Sequence, residues 1–430
     1  MLVRALFDFV RLKRNLSLSR SEILELQRKK LVGLVRHAYE NVPFYHRKFD
    51  EAGLKPCDIW SLDDLAQVPV VTKAEIQSCP ISDMLARGVD LSDCQAMKTS
   101  GSTGRRLHLY IDRGAADYRF ALMARTYWED GLRPWNRMAI VHVPPSLRSY
   151  TMPRYRGVVR RLHLSVLDSV DKQLEILEEY RPDFLESYPS SLVPIARACV
   201  ERRVNIRPRL VLTGSELLLP GDAETIRSAF QCDSVDDYGC LELGPLAWEC
   251  REHAGYHMNV DGVAMEFLDE DGVPVAPGER GMIACTGLVS YSMPFIRYMI
   301  DDSGVPSSEE CACGRPLPLM KMVEGRKDDF LTAMDGRIVP PLAFGTPWFL
   351  GDIVTLKEYR VIQLSRDRVV VEIAGPQSLD KEWILESGKR VRSVMGEGVE
   401  VDFELVNQLE RDAGGKLRKI ISHVPVIWNN

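Results

Sequence analysis

Between Gln95 and Glu324 short apolar runs alternate with stretches of helical character. Met138-Ala139-Ile140-Val141-His142-Val143 and Arg209-Leu210-Val211-Leu212-Thr213 are brief and end in loop residues. Such runs predict strands buried on both faces of a mixed α/β domain. Lys172 to Tyr180 reads as a helix between them. Upstream, residues 1–95 read as a helical lead-in, in which Ser19-Arg20-Ser21-Glu22 sets capping-type residues before the apolar stripe of Ile23 and Leu26. Beyond Asp328 the pattern changes. Glu358–Leu364 and Arg368–Ile373 alternate as a hairpin pair, Lys381–Val394 reads as a helix and Val399–Leu405 as a further strand. The expected fold class is α/β, with a large mixed α/β N-terminal domain over residues 1–327 and a small α+β C-terminal domain over 328–430.

At 430 residues the chain is long enough for two or three domains. A net charge of −6, with the basic residues spread along the chain, implies no general attraction to nucleic acid or membrane. No run of apolar residues is long enough to span a bilayer. The start, Met1 to Arg11, mixes charge into its apolar residues and reads as an amphipathic helix, not a signal peptide. Ten cysteines are too sparse for a disulfide scaffold and suit a reduced, cytoplasmic compartment. Monomer and homodimer are both compatible with these features.

Several short motifs carry chemistry. Lys98-Thr99-Ser100-Gly101-Ser102-Thr103-Gly104 gathers hydroxyls and glycines, which can turn several donors toward an anion. It has neither the P-loop nor the Rossmann spacing, so it is a phosphate loop of another type or a polar turn. Tyr238-Gly239-Cys240-Leu241-Glu242 reads as a tight turn after a strand, and Thr213-Gly214-Ser215-Glu216 as a strand-to-helix turn. Gly414-Gly415-Lys416 is a glycine loop with a lysine. Cys250, with His253 or His257, and Cys311 with Cys313 supply three thiolates and one imidazole for tetrahedral Zn2+, in loops at about 250–257 and 311–315. Unlinked buried thiols are the other reading of that set.

The order of these motifs, with Arg297-Tyr298-Met299-Ile300-Asp301-Asp302 and Gly325-Arg326-Lys327-Asp328, resembles the adenylate-forming superfamily. The stretch Ala38–His46, together with Ser61–Leu65 and Pro69–Lys73, narrows the resemblance to the phenylacetate–CoA ligase branch and its capsule-biosynthesis adenylyltransferase-like subgroup. It covers about Leu31 to Val424 and implies a mobile C-terminal domain. It further implies an ATP site made by Ser100, Gly101, Ser102, Thr103, Gly104, Gly214, Ser215, Glu216, Asp237, Tyr238, Gly239, Cys240, Asp302, Arg326 and Lys416. Within it Tyr238 stacks on adenine, Glu242 holds Mg2+ on the phosphates, Asp302 takes the ribose and Arg326 reaches the ribose or phosphate. Thr103 and Lys416 act in catalysis, Lys416 by offsetting charge that develops in the displacement, and Asp328 is the domain hinge. Cys240 and Leu241 stand where Ser and Thr are common, and Asp301 stands where glycine is usual.

The activity implied is ATP-dependent activation of an organic carboxylic acid as an acyl-adenylate, then transfer of the acyl group to coenzyme A. Transfer to an amine, or arrest after AMP transfer, are the alternatives. The acid pocket is expected near His142, Tyr188 and Cys240; ordinary lining or core is the simpler reading of each residue taken singly. The expected cofactors are ATP, Mg2+ and a structural Zn2+, with no nucleic-acid or membrane partner.

Overall fold

The computed structural model describes residues 2–98, 107–142, 160–166, 168–326, 330–336, 338–339, 344, 358–375, 378–411 and 417–424, with backbone alone at 2, 322–326 and 338. The fold is mixed α/β, with a large sheet-containing part and a smaller C-terminal part. Contacts divide the chain into two compact units. The first comprises Met1–Asn136, Pro145–Arg160 and Val235–Val323; the second comprises Arg137–Pro144, Arg161–Ser234 and Glu324–Asn430. The expected division after residue 327 falls outside the described residues.

The first unit opens with the helices Leu2–Asn15, Arg20–Asn41 and Pro43–Glu51. The capping signal at Ser19 is realised: Glu22 donates its N–H to the Ser19 hydroxyl at 3.3 Å, and the Ser19 N–H donates to the Glu22 carboxylate at 2.8 Å. Each bond satisfies a donor that a helix start would otherwise leave bare. Strands Cys94–Lys98 and His108–Asp112 pair antiparallel, with Lys98 opposite His108. Asp112 then caps the helix Arg113–Glu129 by accepting from the Ala115 N–H at 2.9 Å. The large sheet of this unit runs, neighbour to neighbour, Val263–Leu268, Gly281–Gly287, Tyr298–Pro306, Leu319–Arg326, Tyr256–Met258, Gly244–Glu249 and Ser234–Cys240. Its core joins Leu31, Leu34 and Val35 of the second helix to Tyr45, Phe49, Trp248 and Tyr298.

In the second unit Arg137–His142, Phe184–Ser187 and Leu210–Gly214 pair in parallel, Val141 opposite Ser187 and Ser187 opposite Thr213. Helices Val170–Tyr180, Pro189–Arg202 and Pro220–Phe230 alternate with them in sequence. Ala139, Val141, Leu185 and Val211 are buried against apolar residues of those helices, which explains the strands' continuous apolar character. The C-terminal part is a four-stranded sheet in the order Glu400–Val406, Arg368–Ala374, Glu358–Ser365, Ile420–Ser422. The central pair is an antiparallel hairpin and both outer strands run parallel to their neighbours. The helix Lys381–Met395 buries Val391 and Met395 with Val361, Val371 and Ile373.

Candidate functional site

Three motif residues of the first unit converge. Tyr238 lies near the end of the strand Ser234–Cys240, and Glu242 in the turn that follows. The Tyr238 hydroxyl donates to Asp302 Oδ2 at 2.7 Å, and the Tyr298 hydroxyl donates to Glu242 Oε1 at 3.2 Å. Burial first, and the carboxylate partner second, push both phenols above the ordinary tyrosine range. They therefore stay protonated and act as donors. One oxygen of Glu242 is thus engaged by Tyr298, and Oε2 takes no hydrogen bond from the described residues; hard carboxylate oxygen suits Mg2+. The Cys240 thiol is pushed up by burial and then by Glu242, so it is neutral and weakly nucleophilic.

A bulge aims Asp302. Met282 faces Ser303 while Ala284 faces Met299, so four steps on one strand oppose two on the other. Extra residues of this kind bend a strand and redirect side chains. Asp301 takes φ +62 within the bulge. The left-handed conformation that favours glycine is thus present, adopted by an aspartate, one of the few side chains that enters it at modest cost. Arg297, at φ +51, is structural: its buried guanidinium donates to the carbonyls of Val68 and Gly272 at 2.7 Å and pairs with Glu266 at 3.1 Å.

The turn carrying Glu242 is held from behind by Arg119. This residue of the helix Arg113–Glu129 donates to the Leu241 carbonyl at 3.0 Å and also to the Glu242 carbonyl. Burial lowers Arg119 to about 10, still charged at neutral pH. Gly244 makes room for it, since at φ +83 a Cβ there would meet Arg119 Cδ at 2.9 Å.

In the second unit the carboxyl ends of the parallel strands gather another set. The Tyr188 hydroxyl and His142 Nδ1 are 2.8 Å apart and their rings 4.2 Å apart. The carboxyl ends of such strands are where α/β folds place ligands. Glu216 leaves the end of the neighbouring strand and accepts from the Ser190 N–H at 3.0 Å, the Ser190 hydroxyl at 2.9 Å and the Leu417 N–H at 2.9 Å. Burial raises the Glu216 carboxyl, and these bonds work against that rise. Ser215 is left-handed at φ +67. Lys419, which neighbours Lys416 in sequence, pairs with buried Asp222.

Cys250, His257 and Cys311, all buried, and half-buried Cys313 form a separate group whose ligand atoms all lie within 4.8 Å of one another. Cys250 and Cys311 sulfurs are 3.5 Å apart; His257 Nε2 is 3.4 Å from the Cys250 sulfur and 3.3 Å from that of Cys313. Four ligands at ordinary zinc bond lengths stand about 3.5–3.8 Å apart, so the donor set fits tetrahedral Zn2+. Of the two candidate histidines, His257 belongs to this group. His253 turns to Glu249 instead, with Nδ1 2.9 Å from its carboxylate.

The chain is 24% identical to the phenylacetate–coenzyme A ligase of Thermus thermophilus over 94% of its own length and 97% of the relative's. It is 27% identical to the Escherichia coli phenylacetate–coenzyme A ligase over 74% of each. No protein-family model matches. Among solved structures, a 2-hydroxyisobutyryl-CoA ligase in its postadenylation state, bound to 2-HIB-AMP, superimposes with a TM-score of 0.78 at 22% identity, covering 95% of this chain and 91% of its own. An anthranilate CoA ligase bound to anthranoyl-AMP gives a TM-score of 0.57 at 16% identity, covering 77% of this chain and 67% of its own. The fold is that of the adenylate-forming CoA ligases, and the sequence is similar to phenylacetate–CoA ligases along nearly its whole length.

Of the expected site residues, Asp237, Tyr238, Gly239, Cys240, Glu242 and Asp302 fall in the first unit, and His142, Tyr188, Gly214, Ser215 and Glu216 in the second. Ser100, Gly101, Ser102, Thr103, Gly104, Asp328, Lys416 and the Arg326 side chain lie outside the described residues. Sequence reading missed Arg119, which belongs to no motif. The required glycine at 244 is its only trace in the chain. Tyr298 was quoted within a motif and given no role, yet it is the partner of Glu242.

Proposed function

We propose that the chain is an ATP-dependent, AMP-forming ligase that joins an organic carboxylic acid to coenzyme A. The acid's carboxylate oxygen attacks the α-phosphorus of ATP, the bond to the bridging oxygen breaks, and pyrophosphate leaves with an acyl-adenylate behind it. The thiol of coenzyme A then attacks the acyl carbon and AMP departs, leaving a thioester. The observation that carries this reading is the convergence of Tyr238, Glu242 and Asp302 through the Tyr238–Asp302 and Tyr298–Glu242 bonds. A ring, a metal-binding carboxylate and a ribose-binding carboxylate are together what a nucleotide triphosphate requires.

In this reading Tyr238 stacks on adenine and Asp302 accepts from the ribose hydroxyls. Glu242 would hold Mg2+, which supplies charge neutralisation on the phosphates when bound. Gly214, Ser215 and Glu216 line the adenine edge. Ser100 to Gly104 donate to the phosphates, Thr103 among them, and Lys416 offsets the charge of the transition state. Arg326 takes the ribose or phosphate, and Asp328 is the pivot for the second half-reaction. His142, Tyr188 and Cys240 line the acid. Two relatives and two structural neighbours named as CoA ligases favour coenzyme A over an amine as the acceptor. Cys250, His257, Cys311 and Cys313 would hold a Zn2+ that ties Tyr256–Met258 to the Cys311–Gly314 turn without entering the chemistry.

The test is a panel of aryl and small aliphatic acids with MgATP. Pyrophosphate release together with hydroxylamine trapping reports the adenylate, and mass spectrometry reports the thioester once coenzyme A is added. A panel giving acid-dependent pyrophosphate release and no thioester would leave adenylation standing and overturn the CoA assignment. Absence of pyrophosphate release with every acid would overturn both.

A further inference from the structure

The first helix, Leu2–Asn15, has two faces of opposite use. One is fixed: Leu12 and Phe9 pack on Tyr118, Ala121 and Leu122, Lys13 pairs with Glu129, and Asn15 donates to Asp261 at 3.0 Å. The other carries Val3, Leu6, Phe7 and Val10, exposed at 84%, 60%, 68% and 50%. Their i, i+3, i+4, i+7 spacing puts them in one stripe. Nothing in the fold requires four large apolar side chains in water, and contiguous exposed patches of this kind mark a contact surface.

The charges around the stripe select its occupant. The helix holds Arg4, Arg11, Lys13 and Arg14 against a single acid, Asp8, in a chain of net charge −6. Asp8 is buried and paired with Arg11 at 2.7 Å. Lys13 is likewise paired with Glu129, so, among the described residues, the exposed cations of the helix without an ion pair are Arg4 and Arg14. Two copies apposed through this stripe would gather the Arg4 and Arg14 charges of both, with no unpaired carboxylate of the helix to answer them. An anionic bilayer surface matches both components: the apolar side chains enter the headgroup–acyl boundary and the arginines meet phosphate. At fourteen residues with five charges, the helix lies on a membrane and does not cross one. We propose that Leu2–Asn15 is a peripheral docking helix for the surface of an anionic lipid bilayer. The attraction is local to this helix, which is why the charge of the chain as a unit gives no sign of it.

The experiment is co-sedimentation of the full chain with sucrose-loaded vesicles, either phosphatidylcholine alone or with roughly a quarter phosphatidylglycerol. The expected result is partitioning at least ~10-fold stronger onto the anionic vesicles, weakening as salt rises. Leu6→Glu with Phe7→Glu should abolish binding, and Arg4→Glu with Arg14→Glu should remove the preference for phosphatidylglycerol. Both pairs should keep the thermal midpoint. If the glutamate pair unfolds the chain, Leu6→Ser with Phe7→Ser gives the same reading. Equal binding to both vesicle types, no binding to either, or binding untouched by the stripe variants would overturn the proposal. So would light scattering that shows a dimer in solution dissolved by the Leu6/Phe7 variants, since the stripe's occupant would then be a second copy.

Discussion

Glu242 owes its position to a residue with no chemistry of its own. Arg119 takes the carbonyls on either side of the Glu242 Cα, so the carboxylate is presented from a turn that cannot rock freely. If Glu242 holds Mg2+ as proposed, a partner that orients it is worth about 10–100-fold in metal affinity. Arg119→Gln keeps a donor but loses the fork that spans both carbonyls. It should raise the Mg2+ concentration needed for half-maximal pyrophosphate release about 10-fold, with less change in the maximum rate. A magnesium titration of the purified variant checks this; an unaltered requirement would mean the turn holds itself. The neighbouring Asp301 teaches the complementary point. The sequence shows an aspartate where glycine is expected, which suggests a changed backbone, yet φ +62 keeps the glycine-like turn. Residue identity alone could not decide this, because aspartate is among the few side chains that tolerate that region.

At the scale of elements, local signals were read well and long-range ones poorly. The Ser19–Glu22 cap, the apolar strands Arg137–His142 and Leu210–Gly214, and the hairpin Glu358–Ser365 with Arg368–Ala374 all follow from neighbours within a few residues. The parallel pairing of Glu400–Val406 with Arg368–Ala374 does not, because its register is set by the return through the helix Lys381–Met395. The cysteine group shows the same limit. Three thiols and a histidine were legible as a donor set, but the choice of histidine was not. His253 is nearer Cys250 in sequence, and a turn at φ +50 directs it to Glu249, while the strand Tyr256–Met258 carries His257 inward. Because this group joins segments about 60 residues apart by the Cys250–Cys311 spacing, the zinc ion proposed for it should matter to stability more than to chemistry. Purification without chelator should yield about one zinc per chain. Cys311→Ser or Cys313→Ser should lose it and at least ~2 kcal/mol of stability, with the adenylation rate of the folded fraction nearly kept. Zinc-free wild-type protein of unaltered stability would reject the assignment.

At the scale of the molecule, folding burdens some ionisable groups and uses others as ties. Asp130 is buried, and desolvation raises it to about 7 despite nearby Arg315 and Arg251; among the described residues its Oδ2 has no hydrogen-bond partner. The unfolded chain binds that proton only below about 4. Its contribution is therefore fully present below the unfolded value and is lost as pH rises toward 7. Asp130→Asn should flatten the fall in stability between about pH 4 and 7, by a few kcal/mol at most, as urea unfolding at several pH values would read. Glu216 is the tie. It binds Ser190 and, across 201 residues of sequence, the Leu417 N–H next to Lys416. Arg411 reinforces the same place by donating to the Ser190 hydroxyl at 3.1 Å, and Lys419 by its pair with Asp222. If Lys416 serves adenylate formation, a residue that anchors its neighbour should matter most in that half-reaction. Glu216→Ala should therefore slow acid-dependent pyrophosphate release at least ~10-fold, a loss of about 1.4 kcal/mol in the barrier. Thioester formation from supplied acyl-adenylate should stay within about 2-fold of wild type. Glu216→Gln, which keeps an acceptor for Leu417, should fall between. A role on adenine alone would instead raise the KM for ATP with kcat preserved, because the lost contact would be made equally in ground and transition states. Equal loss of both half-reactions in a folded variant would show that Glu216 supports the surrounding structure and does not position the lysine loop.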